Sequence, residues 1–284
     1  MGDANQVSPD VDVSVMVFTL NEEIHLPDCL GSLGWCRDVV VVDSFSTDRT
    51  REISEKGGAR FFQHVFTGFG DQRNWGMENT RPKHQWVLIL DADERVPAEL
   101  VAELRATLPS IPEGVAAFRI ARRFYWWGRW LRYSSLYPTY VVRLVRQGRV
   151  RYVNRGHAET QEADGEIRTL ASDLMDENRK GLGEWFSRQN RYSGSEAEFE
   201  LAQESSPWRV ADLAHADPLV RRAALKRLAA AAPGRPAWFF VYSYFIRGGF
   251  LDGLPGLIYC LLKSLYQWMV SIKKIEARLG RGRT

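Results

Sequence analysis

Two aspartates one residue apart, Asp91 and Asp93, follow the apolar run Trp86-Val87-Leu88-Ile89-Leu90. Carboxylates so spaced at the end of a buried strand can hold a hard divalent cation. Mg2+ and Mn2+ take oxygen ligands and complete their shells with substrate phosphates. Such a cation would neutralise charge developing on a leaving diphosphate. Taken alone, the pair is also explained as acids capping the turn before a helix that opens at Pro97. Polar residues closing two earlier apolar runs shift the balance towards a site. Thr19, Asn21 and Glu22 end residues 11–20, and Asp43 ends the run Val39-Val40-Val41-Val42. Asp43 can accept a hydrogen bond from a base or ribose, and Asn21 or Glu22 can reach a nucleoside edge. Asp48 is equally well explained as a helix-start residue. No GxGxxG or GxxxxGK[ST] pattern follows the first run, which disfavours a dinucleotide fingerprint and a P-loop.

The elements that must position these residues alternate. Continuous apolar runs at 11–20, 39–42 and 86–90 mark parallel strands covered on both faces. A third, shorter strand is expected at 59–63. Helices are expected near 26–33, from Ser46-Thr47-Asp48 to Lys56, over 71–79, and from Pro97 to about Leu108; Gly57-Gly58 ends the second. This order predicts an α/β fold with a mainly parallel sheet, whose ligands bind at the strand carboxyl ends. Residues 115–152 change to short β-rich pieces, 182–203 return to helix, and 208–232 read as helical. Pro233-Gly234-Arg235-Pro236 is a break before a strongly apolar region.

With 284 residues, 45% of them hydrophobic, the chain can bury one sizeable core plus an appendage. Three cysteines without a CxxC or Cys/His cluster argue against a disulfide framework or structural zinc. The net charge of +3 conceals a basic tail containing Lys273, Lys274, Arg278, Arg281 and Arg283. Beside an apolar segment, such a tail points to an anionic membrane surface rather than nucleic acid, for which no recognition motif occurs.

The segments VSVMVFTLNEE, VVVVDSFSTDRT, GFGDQRNWGM and WVLILDADER, in this order and spacing, resemble the inverting family 2 glycosyltransferases of the GT-A fold. The likeness is greatest to the bacterial branch with lipopolysaccharide-core β-1,4-glucosyltransferases and exopolysaccharide transferases. It covers residues 11–205 and specifies the family, not the sugar. The resemblance implies a nucleotide-sugar donor, with Thr19, Asn21 and Glu22 lining the nucleoside pocket and Asp43 contacting the base. It places Gln72, Arg73 and Asn74 near base and phosphates, Asp91 at the ribose and metal-bound water, and Asp93 on the metal. The general base of inversion corresponds to Glu159 in Gly156-His157-Ala158-Glu159, where the family has His directly before Glu; Asp164 is the reserve. Asp176 stands where the family often has His, as a further metal or diphosphate contact or as a helix cap. Arg179 and Lys180 would bind diphosphate. Gln189-Asn190-Arg191-Tyr192 also matches the family. The expected acceptor is a lipid-linked or lipopolysaccharide glycan.

Residues 122–130 are rich in aromatic and basic side chains. Tyr125, Trp126 and Trp127 are an acceptor platform for sugar rings or, equally, a hydrophobic flap or dimer surface. In residues 257–275, Lys263, Gln267, Ser271 and Lys274 recur as a polar stripe on an otherwise apolar helix. Such a helix can lie in a membrane interface, or pack on the core or a second subunit of a homo-oligomer. The expected organisation is a disordered 1–10, a GT-A catalytic domain at 11–205 and a helical amphipathic 206–284. The expected location is the cytoplasmic face of the inner membrane.

Overall fold

The computed structural model describes residues 11–155, 158–204 and 234–281. The expected disordered N-terminus, His157 and the helical reading of 208–232 lie outside the described residues. The chain forms two compact units, 1–130 with 137–179, and 131–136 with 180–284.

In the first unit the strands and helices alternate as the sequence predicts. They are β1 (Val13–Thr19), α1 (Leu26–Gly31), β2 (Asp38–Asp43), α2 (Thr50–Lys56), β3 (Arg60–Gln63), α3 (Phe69–Asn79) and β4 (Trp86–Asp91). A short β5 (Glu94–Arg95) and α4 (Ala98–Thr107) follow. Then come β6 (Val115–Trp126), β7 (Arg129–Trp130), β8 (Thr139–Arg146), β9 (Val150–Arg155), β10 (Ala158–Ala163) and β11 (Glu166–Glu177).

The main sheet runs β3-β2-β1-β4-β8-β6-β11-β5, with β7 paired to β6. It is parallel from β3 to β4 and mixed beyond, because β8 enters antiparallel between β4 and β6. The apolar runs are explained by burial on both faces. Val13, Val15, Val17, Leu88 and Leu90 pack with Leu26, Cys29, Leu100 and Leu104. Their alternates Met16, Val40, Val42, Val87 and Ile89 pack with Trp75 and Met77 on the opposite side. The strand order reverses between β1 and β4, where Phe18 registers with Asp91. Open α/β sheets receive ligands outside the carboxyl ends of their strands at such a switch point.

The amino ends are tied by Asp38. It accepts from Ser14 Oγ at 2.5 Å and Lys83 N at 2.8 Å, and pairs with Arg60 at 2.9 Å. β9 and β10 form a separate antiparallel pair, and Asn74 on α3 fastens it. Its side-chain amide donates to Tyr152 O at 2.8 Å, and Tyr152 N donates back at 2.9 Å. Gly70 allows the same approach, since a Cβ there would stand 2.9 Å from Asn154 Oδ1.

The second unit holds α5 (Gly181–Glu204), α6 (Arg235–Phe240), a wide helical turn at Val241–Ile246, and α7 (Gly253–Arg281). Ala197 of α5 is buried with Tyr266 and Val270 of α7. Glu200 binds Lys274 at 3.0 Å and Arg235 at 2.8 Å. The domain boundary expected at 205 therefore falls before α5, because that helix buries its face on α7.

Candidate active site

Asp91 closes β4 in a cluster of buried charge. Arg73 of α3 reaches it at 3.1 Å, and Arg143 of β8 contacts the other oxygen. Arg143 also binds Glu94 at 2.7 Å, while Glu94 accepts the Asp91 N–H at 2.9 Å. Burial opposes the ionised form of Asp91, but Arg143 and Arg73 outweigh it and hold the carboxyl below its usual range. Arg143 in turn is raised by Asp91 and Glu94 against its own desolvation. Glu94 moves upward, because burial and the neighbouring Asp91 together exceed the pull of Arg143. Asp176 on β11 pairs with Arg122 at 3.1 Å. Burial, with Asp93, Glu94 and Asp91 nearby, pushes its carboxyl up to about 7 despite Arg122.

Asp93 differs from these acids. Its carboxylate accepts from the neutral Asn178 amide at 3.0 Å, and its backbone carbonyl accepts the Glu177 N–H at 3.0 Å. Among the described residues no arginine is paired with it. Among the same residues no three His, Cys, Asp or Glu side chains converge as a cation cage. Of the expected metal set Asp93, Asp91 and Asp176, the structure pairs Asp91 with Arg73 and Arg143 and Asp176 with Arg122. Asp93 alone fits Mg2+ or Mn2+ anchored by one protein carboxylate and completed by water and phosphate.

Arg73 is nearly buried, lies over the rings of Phe18 at 5.9 Å and Tyr152 at 5.5 Å, and bridges Asp91 to Glu159 of β10. Glu159 Oε2 is buried and has no hydrogen-bond partner among the described residues. One oxygen of this carboxylate is thus held by Arg73, and the other is an open acceptor. The reserve, Asp164, is exposed and pairs with Arg149 at 3.0 Å.

The nucleoside-side residues are drawn together, but largely onto one another. Asp43 is buried and accepts from Thr19 Oγ1 at 2.8 Å, Ser46 N at 2.8 Å and Gln63 Nε2 at 3.2 Å. Asn21 adopts φ of 54° and accepts Thr47 N at 2.8 Å, knitting the loops after β1 and β2. Gln72 is buried, donates to Ser44 Oγ at 3.1 Å and meets His64 Nδ1 at 3.0 Å. Asn74, expected near base and phosphates, is instead spent on the Tyr152 backbone.

Glu22 meets His25 Nδ1 at 2.6 Å, and His25 Nε2 accepts the Arg179 N–H at 2.7 Å. Because Nε2 must accept, the neutral ring carries its proton on Nδ1 and donates to Glu22. The Arg179 guanidinium binds Asp28 at 2.6 Å and Ile24 O at 2.8 Å, away from its expected diphosphate role. In the aromatic stretch Trp126 is buried, which removes it from a sugar platform. Tyr125 registers with Trp130 in the β6–β7 hairpin. Trp127 is 57% exposed at the hairpin tip, where φ is 51° and Gly128 takes 73°.

Sequence reasoning missed Arg143, Glu94 and His25 as site residues. A signal existed for Arg143: an arginine inside the apolar strand TYVVRLVR must find buried partners.

The glycosyl transferase family 2 model matches residues 14–172, more than half of the chain, and takes in Asp43, Asp91, Asp93 and Glu159. The chain belongs to glycosyl transferase family 2. A relative of this transferase is the lipopolysaccharide core biosynthesis glycosyltransferase LpsC of Rhizobium meliloti (strain 1021). It is 26% identical over 272 residues, covering 93% of this chain and 92% of that protein. An uncharacterized glycosyltransferase of Rickettsia bellii (strain RML369-C) is 34% identical over 93 residues, covering 32% of this chain and 31% of its own. In fold, the transferase is similar to the mannosyltransferase PcManGT from Pyrobaculum calidifontis, solved with GDP-Man and Mn2+. The TM-score is 0.51 at 17% identity, covering 95% of this chain and 90% of that one. This likeness establishes the GT-A fold.

Proposed function

We propose that this family 2 transferase moves a sugar from a nucleotide-diphosphate donor, a UDP-sugar, to a glycan of the lipopolysaccharide core, with inversion at the anomeric carbon. The observation that carries the reading is the state of Asp93. It follows the end of β4, has no arginine paired with it among the described residues, and lies beside the β1–β4 switch point where open α/β sheets receive ligands. The relative LpsC, aligned over nearly the whole of both chains, supports the choice of acceptor.

In this reading Asp93 holds Mg2+ or Mn2+, which supplies charge neutralisation at the leaving diphosphate. Asp91 and Glu94, fixed by Arg143, keep the end of β4 rigid so that Asp93 is preoriented. Glu159 takes the acceptor hydroxyl proton on Oε2, the oxygen that is buried without a partner among the described residues. Arg73 holds the other oxygen of that carboxylate and so orients it. The acceptor hydroxyl oxygen attacks the anomeric carbon as the bond to the diphosphate oxygen breaks, and nucleoside diphosphate leaves.

The test is release of nucleotide from a panel of nucleotide-sugars, with and without divalent metal, in the presence of core glycan. Asp93→Asn is expected to lower metal-dependent transfer by about a hundredfold, the scale of losing one charge-stabilising group. Full transfer by that variant would sink the metal assignment. Nucleotide binding without turnover of any donor would favour a scaffold that binds sugar nucleotides.

A further inference from the structure

The second unit presents an apolar surface that its described helices leave uncovered. α7 has two apolar faces. Tyr266 and Val270 meet α5, and Lys274 and Lys273 are pinned there by Glu200 and Asn190. The polar stripe is therefore drawn inward at Lys274. Leu254, Leu261, Trp268 and Ile275 recur at every seventh position on the exposed side. The surface continues around a bend of 71° between residues 235–246 and 249–280. Phe245, Ile246, Phe250 and Leu251 project at that bend, with Ile246 71% and Leu254 66% exposed. No single described helix is long and apolar enough to cross a membrane.

The bend is built to stay closed. Gly248 takes φ of 77°, and a Cβ at Gly256 would fall 2.5 Å from Gly249 O. Phe240 and Tyr244 stack on each other and meet the rings of Phe245 and Phe250 edge-on. Between residues 234 and 275 the sole acid is Asp252. It is buried, accepting the N–H groups of Arg132 at 3.2 Å, Tyr133 at 3.0 Å and Ser134 at 2.7 Å, and Ser134 Oγ at 2.7 Å. The tip thus shows no negative charge, while Arg247, Lys263 and Lys273 lie along the same segment.

We propose that this bent tip is a wedge that enters one leaflet of an anionic lipid membrane, with the exposed face of α7 lying in the interface. Aliphatic and Phe side chains at the tip suit the acyl region, and Trp238, Tyr242 and Trp268 suit the headgroup boundary. Arg247 and Lys263, with no exposed acid at the tip, complement anionic headgroups; Glu276 lies only at the far end of the exposed face. The proposal is independent of the donor and acceptor assigned above.

The test is flotation of the full chain with vesicles of phosphatidylethanolamine and phosphatidylglycerol, with phosphatidylcholine vesicles, and without lipid. The chain is expected to float with the anionic vesicles, less with the neutral ones. The double variant Ile246→Ser, Leu254→Ser is expected to lose about tenfold or more in partitioning, since two large aliphatic side chains no longer leave water. Its far-UV circular dichroism and its donor hydrolysis should match the parent chain, which separates loss of docking from misfolding. Equal flotation of variant and parent overturns the wedge. So does failure of the parent to float, whether it sediments as a monomer or as a dimer that the double variant dissociates. Absence of transfer activity, with flotation intact, would count against the proposed reaction and leave the wedge standing.

Discussion

The two ends of one sheet use aspartate in opposite ways. At the amino ends, Asp38 is saturated: a hydroxyl, a backbone N–H and a guanidinium occupy its oxygens. At the carboxyl ends, Asp91 is equally committed, but Asp93 keeps acceptor capacity in hand, as does Glu159 on the separate β9–β10 pair. Asp93 meets only a neutral amide among the described residues, and Glu159 buries an unpartnered oxygen. A saturated carboxylate fixes structure, while one left with acceptor capacity at a ligand-binding end is poised for a substrate. Residue type does not separate the roles; the account of partners does.

The largest stability effect should fall at the carboxyl end, where Arg143 compensates two acids. Arg143→Met would leave Glu94 and Asp91 facing each other, costing about 3–5 kcal/mol by urea denaturation. A cost below 1 kcal/mol would mean that the cluster does not hold the end of β4. Asp93→Asn, in contrast, should change stability by less than about 0.5 kcal/mol while removing transfer. A large loss of stability there would erase the contrast with Asp38.

Asp38→Asn should cost about 2 kcal/mol near neutral pH, the scale of hydrogen bonds to a charged group, with transfer per folded molecule unchanged. Burial opposes its ionisation, but the bonds from Ser14 and Lys83 and the charge of Arg60 depress its pKa below the ordinary 3.8. Its contribution is therefore whole above about pH 4 and drains as the pH falls through the folded-state value. The stability gap between parent and variant should close in acid, and a gap independent of pH would deny the carboxylate its part. The smallest effect is expected at the fastening of β9: Asn74→Ala should cost about 1–2 kcal/mol, with donor binding unchanged. A selective loss of nucleotide affinity would return Asn74 to the pocket.

Much of the first unit was legible because its signals are local. Runs such as VVVV and WVLIL name buried parallel strands, and the polar residue after each run marks a strand end. The pairings across the sheet were not legible. Arg143 lies 52 positions from Asp91 and 49 from Glu94, and no local pattern tells an arginine which carboxylate it will meet. The same distance hid His25, whose Nε2 receives an N–H from Arg179, 154 positions away.

The sequence by itself determined the alternation of elements, the family and the acids gathered at the strand ends, because periodicity and motif order are properties of neighbours in the chain. Tertiary structure alone decided which of those acids stay available. It gave Asp91 and Asp176 to arginines and Asn74 to the β9 backbone, and left Asp93 and one oxygen of Glu159 open. It likewise turned Lys274 towards Glu200 and left Leu254, Leu261, Trp268 and Ile275 outward, where the helix pattern alone left packing on the core and a membrane interface both open. The physical reason is common to both units. Buried charge must find a partner wherever the fold places one, and only the folded chain fixes where that partner is.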